Sequence, residues 1–291
     1  MKPPVDTSVQ NLLSEKLVAI EKLFDADVLC YYGPIVDGNE NILLDIIEDL
    51  ANDKNRKEKL IVILTTMGGS AIAVERYVNI IRNHYGDVGF IIPDYAYSAG
   101  TIFCMSGDSI YMDYFSVLGP IDPQVQNKEG KWVAALGYLD KVNELIKKAQ
   151  DNTLTQAEFL ILKDIDLAEL RGYEQAKELT IDLLKKWLVK YKFKNWNEHQ
   201  SSKSKKGQLV TPEEKNLRAE EIADKLGDNK IWKSHSRPIN IETLEKEMKL
   251  KIEDYSHQKT IRELIRSYYS LLSDYLTKNK TTIFVHTRKF I

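Results

Sequence analysis

Apolar strands that alternate with helices are the feature that most restricts the fold of this chain. Residues 28–32, 60–64 and 88–92 are short apolar runs with almost no alternation of polar and apolar side chains. Amphipathic helical patterns at 42–50 and 71–84 separate them, and another at 7–23 comes before them. Strands that are buried on both faces and joined by helices form parallel sheets. The pattern therefore predicts an α/β fold with parallel strands.

The character of the chain changes after about residue 135. Strand patterns end there, apart from a possible strand at 281–285, and long charged amphipathic helices take over. We expect two units, an α/β core with its N-terminal helix at 1–135 and a mainly helical region at 136–291. The predicted helices of the second half cover 138–150, 154–170, 174–191, 212–226, 241–252 and 258–276.

Two turns that lead from a strand into a helix contain residues suited to chemistry. Gly68 and Gly69 follow the strand at 60–64, and a Gly-Gly turn either is merely tight or exposes N–H groups to an anion. Ser98 opens the helix after the strand at 88–92, where it suits either a nucleophile or an N-cap. Asp122 lies in a loop that two prolines and a glycine make rigid. Its carboxylate either forms an Asx turn or is a charged group of a site.

Several functional classes are disfavoured by composition and motifs. Two cysteines and five scattered histidines, without an HExxH pair, give no support for a metal site. The glycine-rich dinucleotide and phosphate-binding motifs are missing, so no cofactor is expected. A balance of 41 basic against 43 acidic residues gives no general attraction for nucleic acid, and we expect the basic segment 200–207 to be an exposed loop. We expect no transmembrane segment or signal sequence, and a cytoplasmic protein.

Four segments of the first half are distinctive as an ordered set. They are Thr66-Met-Gly-Gly69, Ala96-Tyr-Ser-Ala-Gly-Thr101, Gly107-Asp-Ser-Ile-Tyr-Met112 and Leu118-Gly-Pro-Ile-Asp-Pro-Gln124. In this order they resemble the serine dehydrogenase proteinase family, in the signal-peptide-peptidase-A-like branch of the Clp protease/crotonase superfamily. The resemblance continues at 192–196, 211–215, 231–239 and 250–253, and so covers most of the chain.

The resemblance implies a Clp/crotonase-like fold of repeated ββα units with an α-helical C-terminal region. It also implies a homo-oligomer that acts on peptides or proteins without metal or cofactor. Ser98 matches the nucleophile of the family. Gly68 and Ala99 match the residues whose N–H groups form the oxyanion hole.

The general base is left open. Clp proteases carry a histidine about 25 residues after the serine, whereas this chain has Asp122 in that region and no histidine. Signal-peptide-peptidase-A enzymes use a lysine, and Lys147 and Lys148 lie at a comparable distance, on a helix that can equally place them in solvent. His235, in a segment with tryptophan, serine and arginine, is the remaining candidate, or else a structural loop residue.

The predicted function is a serine-type peptidase that forms an acyl-enzyme on Ser98. Two alternatives remain. In the first, the chain is a non-catalytic oligomeric binding or scaffold member of the fold, which the missing histidine after Ser98 suggests. In the second, it is a crotonase-type enzyme that acts on acyl-thioesters, because the oxyanion hole of such enzymes uses the same backbone positions.

Overall fold

A parallel sheet forms the centre of the protein. The computed structural model describes residues 4–126, 130–200 and 204–291. Within these ranges five parallel strands lie side by side, and one antiparallel strand closes the edge next to β1. In spatial order they are β10 (Phe284–His286), β1 (Asp27–Tyr32), β2 (Lys59–Thr65), β3 (Asp87–Ile92), β5 (Ser109–Met112) and β9 (Glu253–Asp254). The smaller pairs are β4 (Tyr95–Ala96) with β6 (Val117–Leu118), and β7 (Gln124–Gln126) with β8 (Trp132–Ala134).

Helices cover both faces of the sheet and form most of the second half. A π-helical turn, Leu188–Lys192, continues the seventh helix. The helices are α1 (Pro4–Phe24), α2 (Glu40–Ala51), α3 (Ala71–His84), α4 (Ala99–Met105), α5 (Ala135–Gln150), α6 (Gln156–Lys163), α7 (Leu167–Trp187), α8 (Pro212–Gly227), α9 (Asn229–Trp232), α10 (Ile241–Lys246) and α11 (Lys259–Asn279).

The strands lack polar alternation because each of their faces meets a helical layer. Leu29 and Val62 belong to a core that includes residues of α2, α3, α4, α7 and α8. Val28 and Ile61, their neighbours along the strands, belong to a second core with α1 and α11. Successive side chains of a strand point to opposite faces, so each residue enters one of the two cores. The prediction of a parallel, doubly buried sheet is confirmed.

Helices α1 to α3 and strands β1 to β3 lie where the sequence predicts them, within about three residues, whereas the short strands β4, β6, β7 and β8 were not predicted. Two predictions for the second half are wrong in detail. The break between the helices at 154–170 and 174–191 comes earlier, where Asp166 caps α7 with its carboxylate. The helix predicted at 241–252 ends at Lys246, and the chain then extends into β9, which was not predicted. The possible strand at 281–285 is present as β10, at 284–286, and both late strands belong to the central sheet.

The two halves share one core. Leu184 and Trp187 of α7 lie in the same cluster as Phe103 of α4 and Tyr77 of α3. The division at residue 135 therefore remains a prediction, and the described contacts cross it. Part of the basic segment 200–207 lies outside the described residues, and residues 204–207 form an exposed turn as expected.

Candidate active site

Ser98 sits in a strained turn at the start of α4. Its backbone has φ 53° and ψ −118°, a conformation that residues other than glycine rarely adopt. Hydrogen bonds on both sides hold this turn: Tyr97 N donates to Thr66 O at 3.0 Å, and Gly100 N donates to Tyr97 O at 2.8 Å. Ser98 is at the N-cap position, but its side chain makes no capping hydrogen bond. The Ser98 hydroxyl therefore does not act as a helix cap, which was the alternative to a nucleophile.

The glycine turn after β2 packs directly against Ser98. Gly68 has φ 110°, and a Cβ on it would lie 2.8 Å from the Ser98 Cβ. Gly69 has φ 144°, and a Cβ on it would lie 1.9 Å from the carbonyl oxygen of Ile35. Neither position can therefore hold a side chain: at Gly68 it would collide with Ser98, and at Gly69 with the backbone of Ile35. The two turns meet at the carboxyl ends of β2 and β3.

The hydrogen bonds of the glycine turn distinguish its two amides. Gly68 N donates to the hydroxyl of Thr66 at 3.0 Å, so this N–H is occupied, in disagreement with the predicted oxyanion role of Gly68. The physical reason is a local side-chain-to-backbone turn formed by Thr66. Gly69 N has no hydrogen-bond acceptor within the described residues, and Gly69 lines the cavity next to Ser98. Ala99 N is the first amide of α4 and has no acceptor within the helix.

A cavity of about 770 Å³ opens in front of Ser98, and we name it the Ser98 cavity. Much of its wall is apolar. The loop after β1 provides Ile35 and Val36, and α7 provides Leu179 from the second half of the chain. Ser98, Ala99 and His235 all line it. An apolar cleft with a few polar groups that converge on one point is the usual form of a small-molecule or peptide site.

His235 reaches the Ser98 cavity from the loop after α9. Its Nδ1 atom is buried and has no hydrogen-bond partner among the described residues. Burial lowers the pKa of the imidazole below its ordinary value, so the ring is neutral at neutral pH. A neutral imidazole accepts protons. Among the described contacts there is no hydrogen bond between His235 and Ser98; such bonds often form only in the complex with substrate.

The structure does not bring Lys147 and Lys148 to Ser98. Lys147 is exposed near the end of α5, and neither lysine lines the Ser98 cavity as described. The Lys148 ammonium lies 2.6 Å from Glu158 and 3.3 Å from Glu144. These carboxylates raise the pKa of Lys148, whereas a lysine base requires a lowered one.

Asp122 is buried behind the wall of the Ser98 cavity. Its neighbours Ile121 and Pro123 line that cavity, while the Asp122 carboxylate accepts a hydrogen bond from Leu136 N at 3.2 Å. Burial raises the pKa of Asp122 to about 6, with a further contribution from the charge of Asp140.

The family comparison agrees with this geometry. A family model described as ClpP-like SDH-type serine proteinase matches residues 34–206. The chain belongs to this family. The Clp protease-like α/β fold with a helical C-terminal region is thereby established. Its assignment to the signal-peptide-peptidase-A-like branch remains a prediction.

Two curated proteins of Methanocaldococcus jannaschii are similar to this chain. Uncharacterized protein MJ1495 is 34% identical over 123 residues, which is 42% of this chain and 37% of that protein. Uncharacterized protein MJ0137 is 32% identical over 127 residues, 40% of this chain and 43% of that protein. The chain thus spans about two fifths of the length of these relatives.

Two solved structures are also similar. A mutant of the 1510-N membrane-bound stomatin-specific protease is 22% identical, with a TM-score of 0.32 over 50% of this chain and 73% of the other. A mutant of ClpP1 from Listeria monocytogenes is 17% identical, with a TM-score of 0.31 over 53% of this chain and 91% of the other.

Two features of the site were not predicted from the sequence. Gly69 was visible as the second glycine of its pair, but only the Thr66 hydrogen bond distinguishes its amide from that of Gly68. Thr180, in the middle of α7, carries no sequence signal for a place at the cavity, yet it lines the wall. In the described ranges no group of three potential ligand side chains is placed to hold a metal ion. Nor does any described helix have the length and apolar character needed to cross a membrane.

Proposed function

We propose that the protein is a serine-type peptidase that hydrolyses peptide bonds through an acyl-enzyme on Ser98. The observation that carries the proposal is the strained Ser98 turn, which leaves the hydroxyl uncapped in a cavity shared with His235. Backbone strain of this kind is common at active sites, where the surrounding structure maintains it. Membership of the ClpP-like serine proteinase family supports the same chemistry.

The proposed reaction uses four groups. Ser98 Oγ attacks the peptide carbonyl carbon while its proton passes to the His235 imidazole. The negative charge that develops on the carbonyl oxygen accepts hydrogen bonds from Gly69 N–H and Ala99 N–H. When the tetrahedral intermediate collapses, the C–N bond breaks and His235 returns the proton to the leaving amine. Water then attacks the ester in the same way, which releases the acid and restores Ser98.

His235 is preferred as the base for two reasons. It lines the cavity with Ser98, which neither Lys147 nor Lys148 does in the described structure. Burial also lowers its pKa, so that the proton-accepting form dominates at neutral pH. Asp122 is buried and does not line the Ser98 cavity. Its carboxylate accepts a hydrogen bond from Leu136 N, so we assign it a structural role in the loop that carries Ile121 and Pro123.

Two further proposals concern the setting of the enzyme. We propose a homo-oligomer, because α6 has no buried residue and leaves Phe159, Leu160 and Ile161 more than half exposed. The apolar face of α1 gives no support for an oligomer, because Leu13, Leu17 and Ile20 are buried within the same chain, in the core formed with α11.

A cytoplasmic location is supported by Cys30 and Cys104, which are both buried and unpaired.

A fluorophosphonate probe tests the proposed function directly, because it reacts with an activated serine. We expect stoichiometric labelling of the wild-type protein and peptide mapping of the label to Ser98. Ser98→Ala should lose both labelling and peptide hydrolysis, while Ser8→Ala, on the exposed face of α1, should keep both. A folded Ser98→Ala variant that still hydrolyses peptides would refute the assignment. Absence of labelling in the wild type would favour the non-catalytic alternative.

A further inference from the structure

A second cavity lies beside the Ser98 cavity and has no part in the mechanism above. It has a volume of about 280 Å³ and is bounded by the loop at 121–123, α5, α7 and the junction of α8 with α9. Ile121, Pro123 and Thr180 line both cavities. The two cavities are therefore adjacent, so that a side chain of a peptide bound in the Ser98 cavity can extend toward the second one.

Thr180 supplies the first sign that the second cavity receives a ligand. The residue is only 2% exposed, and its hydroxyl makes no hydrogen bond among the described residues, so the little surface that it keeps faces the cavities that it lines. Buried hydroxyls in folded proteins nearly always have a partner. Since Thr180 lines both cavities, its free hydroxyl is available to a polar group that enters between them.

The charges of the second cavity indicate which polar group that is. Asp140 and Asp228 are half-buried, whereas Lys177 and Lys230 are exposed. Asp228 already accepts a hydrogen bond from Lys230 N as the cap of α9, but Asp140 forms no ion pair within the described structure. Of the charged residues that line the second cavity, the two less exposed ones are therefore carboxylates, while Asp224 and both lysines are exposed. A ligand group that is partly desolvated there meets negative charge.

Asp122 adds a buried carboxylate beside the second cavity. It is 3% exposed and lies between two residues that line the second cavity, Ile121 and Pro123. Leu136, whose N–H donates to the Asp122 carboxylate, lines the same cavity. An acidic ligand group would meet Asp140 and Asp122 without a buried cation to offset them, and this repulsion is costly where charges are partly desolvated.

We propose that the second cavity is a substrate subsite that takes a lysine or arginine side chain of the peptide. This rests on the proposed function, because it assumes a peptide at Ser98. The cationic end of the side chain pairs with Asp140, and Thr180 Oγ accepts a hydrogen bond from it. The volume, near the lower end of the range for ligand pockets, suits one side chain and not a further peptide segment.

Cleavage mapping tests the subsite. A peptide library digested by the wild-type protein should show lysine or arginine enriched at one fixed position relative to the cleaved bond. A matched pair of peptides, with lysine or norleucine at that position, should then differ about tenfold in kcat/KM, as one partly buried ion pair allows. Asp140→Asn should bring the ratio close to one. Asp151→Asn, an exposed carboxylate at the end of α5, should leave the ratio as in wild type.

Binding separates this proposal from the proposed function. The same lysine and norleucine peptides, fluorescently labelled, are titrated with Ser98→Ala, and anisotropy reports their Kd. A tenfold preference for lysine that Asp140→Asn abolishes in this background supports the subsite even if the wild type hydrolyses nothing. Equal affinity for both peptides, or a preference for a glutamate peptide, overturns the subsite even if hydrolysis at Ser98 is demonstrated.

Discussion

The pH dependence of activity distinguishes His235 from the lysines as the base. Burial lowers the pKa of His235 below its ordinary value of about 6.5, so at pH 7.5 at least roughly nine tenths of the molecules carry the neutral imidazole. Ion pairs raise the pKa of Lys148 above its ordinary value of about 10.4, which leaves fewer than roughly one molecule in a thousand with a free amine. A base must be deprotonated to act. Activity through His235 is therefore lost only as the pH falls below about 6.5, and activity through Lys148 would still be rising above pH 9.

We expect kcat/KM on a fluorogenic peptide to be level from pH 7 to 8.5 and to fall on the acid side of 6.5. His235→Ala should lower kcat by about 100- to 10,000-fold, the usual contribution of a general base. His257→Ala, which removes an exposed histidine, serves as the matched control. Circular dichroism establishes that each variant is folded. A profile that keeps rising above pH 9, or wild-type turnover in His235→Ala, would refute the argument from burial.

The remaining predictions concern the lysines, the glycine turn, the C-terminal ion pair and assembly. Lys147→Ala and Lys148→Ala should both keep wild-type kcat, since neither side chain lines the Ser98 cavity. Gly69→Ala should lower kcat by about 100-fold or more, because its Cβ cannot fit beside Ile35 O and the amide must move; Gly86→Ala, where nothing lies within 4 Å of the added Cβ, is the control. Arg288→Ala should cost about 3–5 kcal/mol in urea unfolding because Arg288 pairs with fully buried Asp27 at 2.6 Å, while Arg171→Ala on the surface should leave the midpoint unchanged. Light scattering should give an oligomer for the wild type and a smaller species for Phe159→Asp, whereas a monomeric wild type would contradict the proposed assembly.

The first half of the fold was predictable because burial leaves a direct mark on its strands. Residues 60–64 are apolar throughout, since one set of side chains enters the core with α3 and the other enters the core with α1 and α11. Strands β9 and β10 leave a weaker mark. The segment 281–285 predicts a possible strand where β10 lies, but β9 has only two residues, Glu253 and Asp254, and neither is apolar. Their place at the sheet edges depends on where α10 and α11 end, which is a tertiary effect.

The candidate site was predictable to a similar degree, and for a related reason. Ser98 and the glycine pair lie in short strand-to-helix turns, whose geometry is largely local and therefore readable from sequence. The choice between Gly68 and Gly69 depends on one hydroxyl, that of Thr66, which accepts the hydrogen bond of the Gly68 N–H. The choice of base depends on long-range packing, which places His235 at the cavity and leaves Lys148 among carboxylates.

The second half of the chain therefore does more than extend the core. Ser98, Gly69 and Ala99 come from the first half, but the candidate base and the wall formed by α7 come from the second. Hydrogen bonds join the two at the loop before Asp122: Leu118 exchanges a pair of backbone bonds with Ile239, and Ile121 N donates to Leu226 O at 3.0 Å. Ile239 lies four residues after His235, so the ladder that fixes this loop also anchors the segment that carries the base. A change that loosens the Leu118–Ile239 pairing should thus lower kcat without altering any group that contacts the substrate.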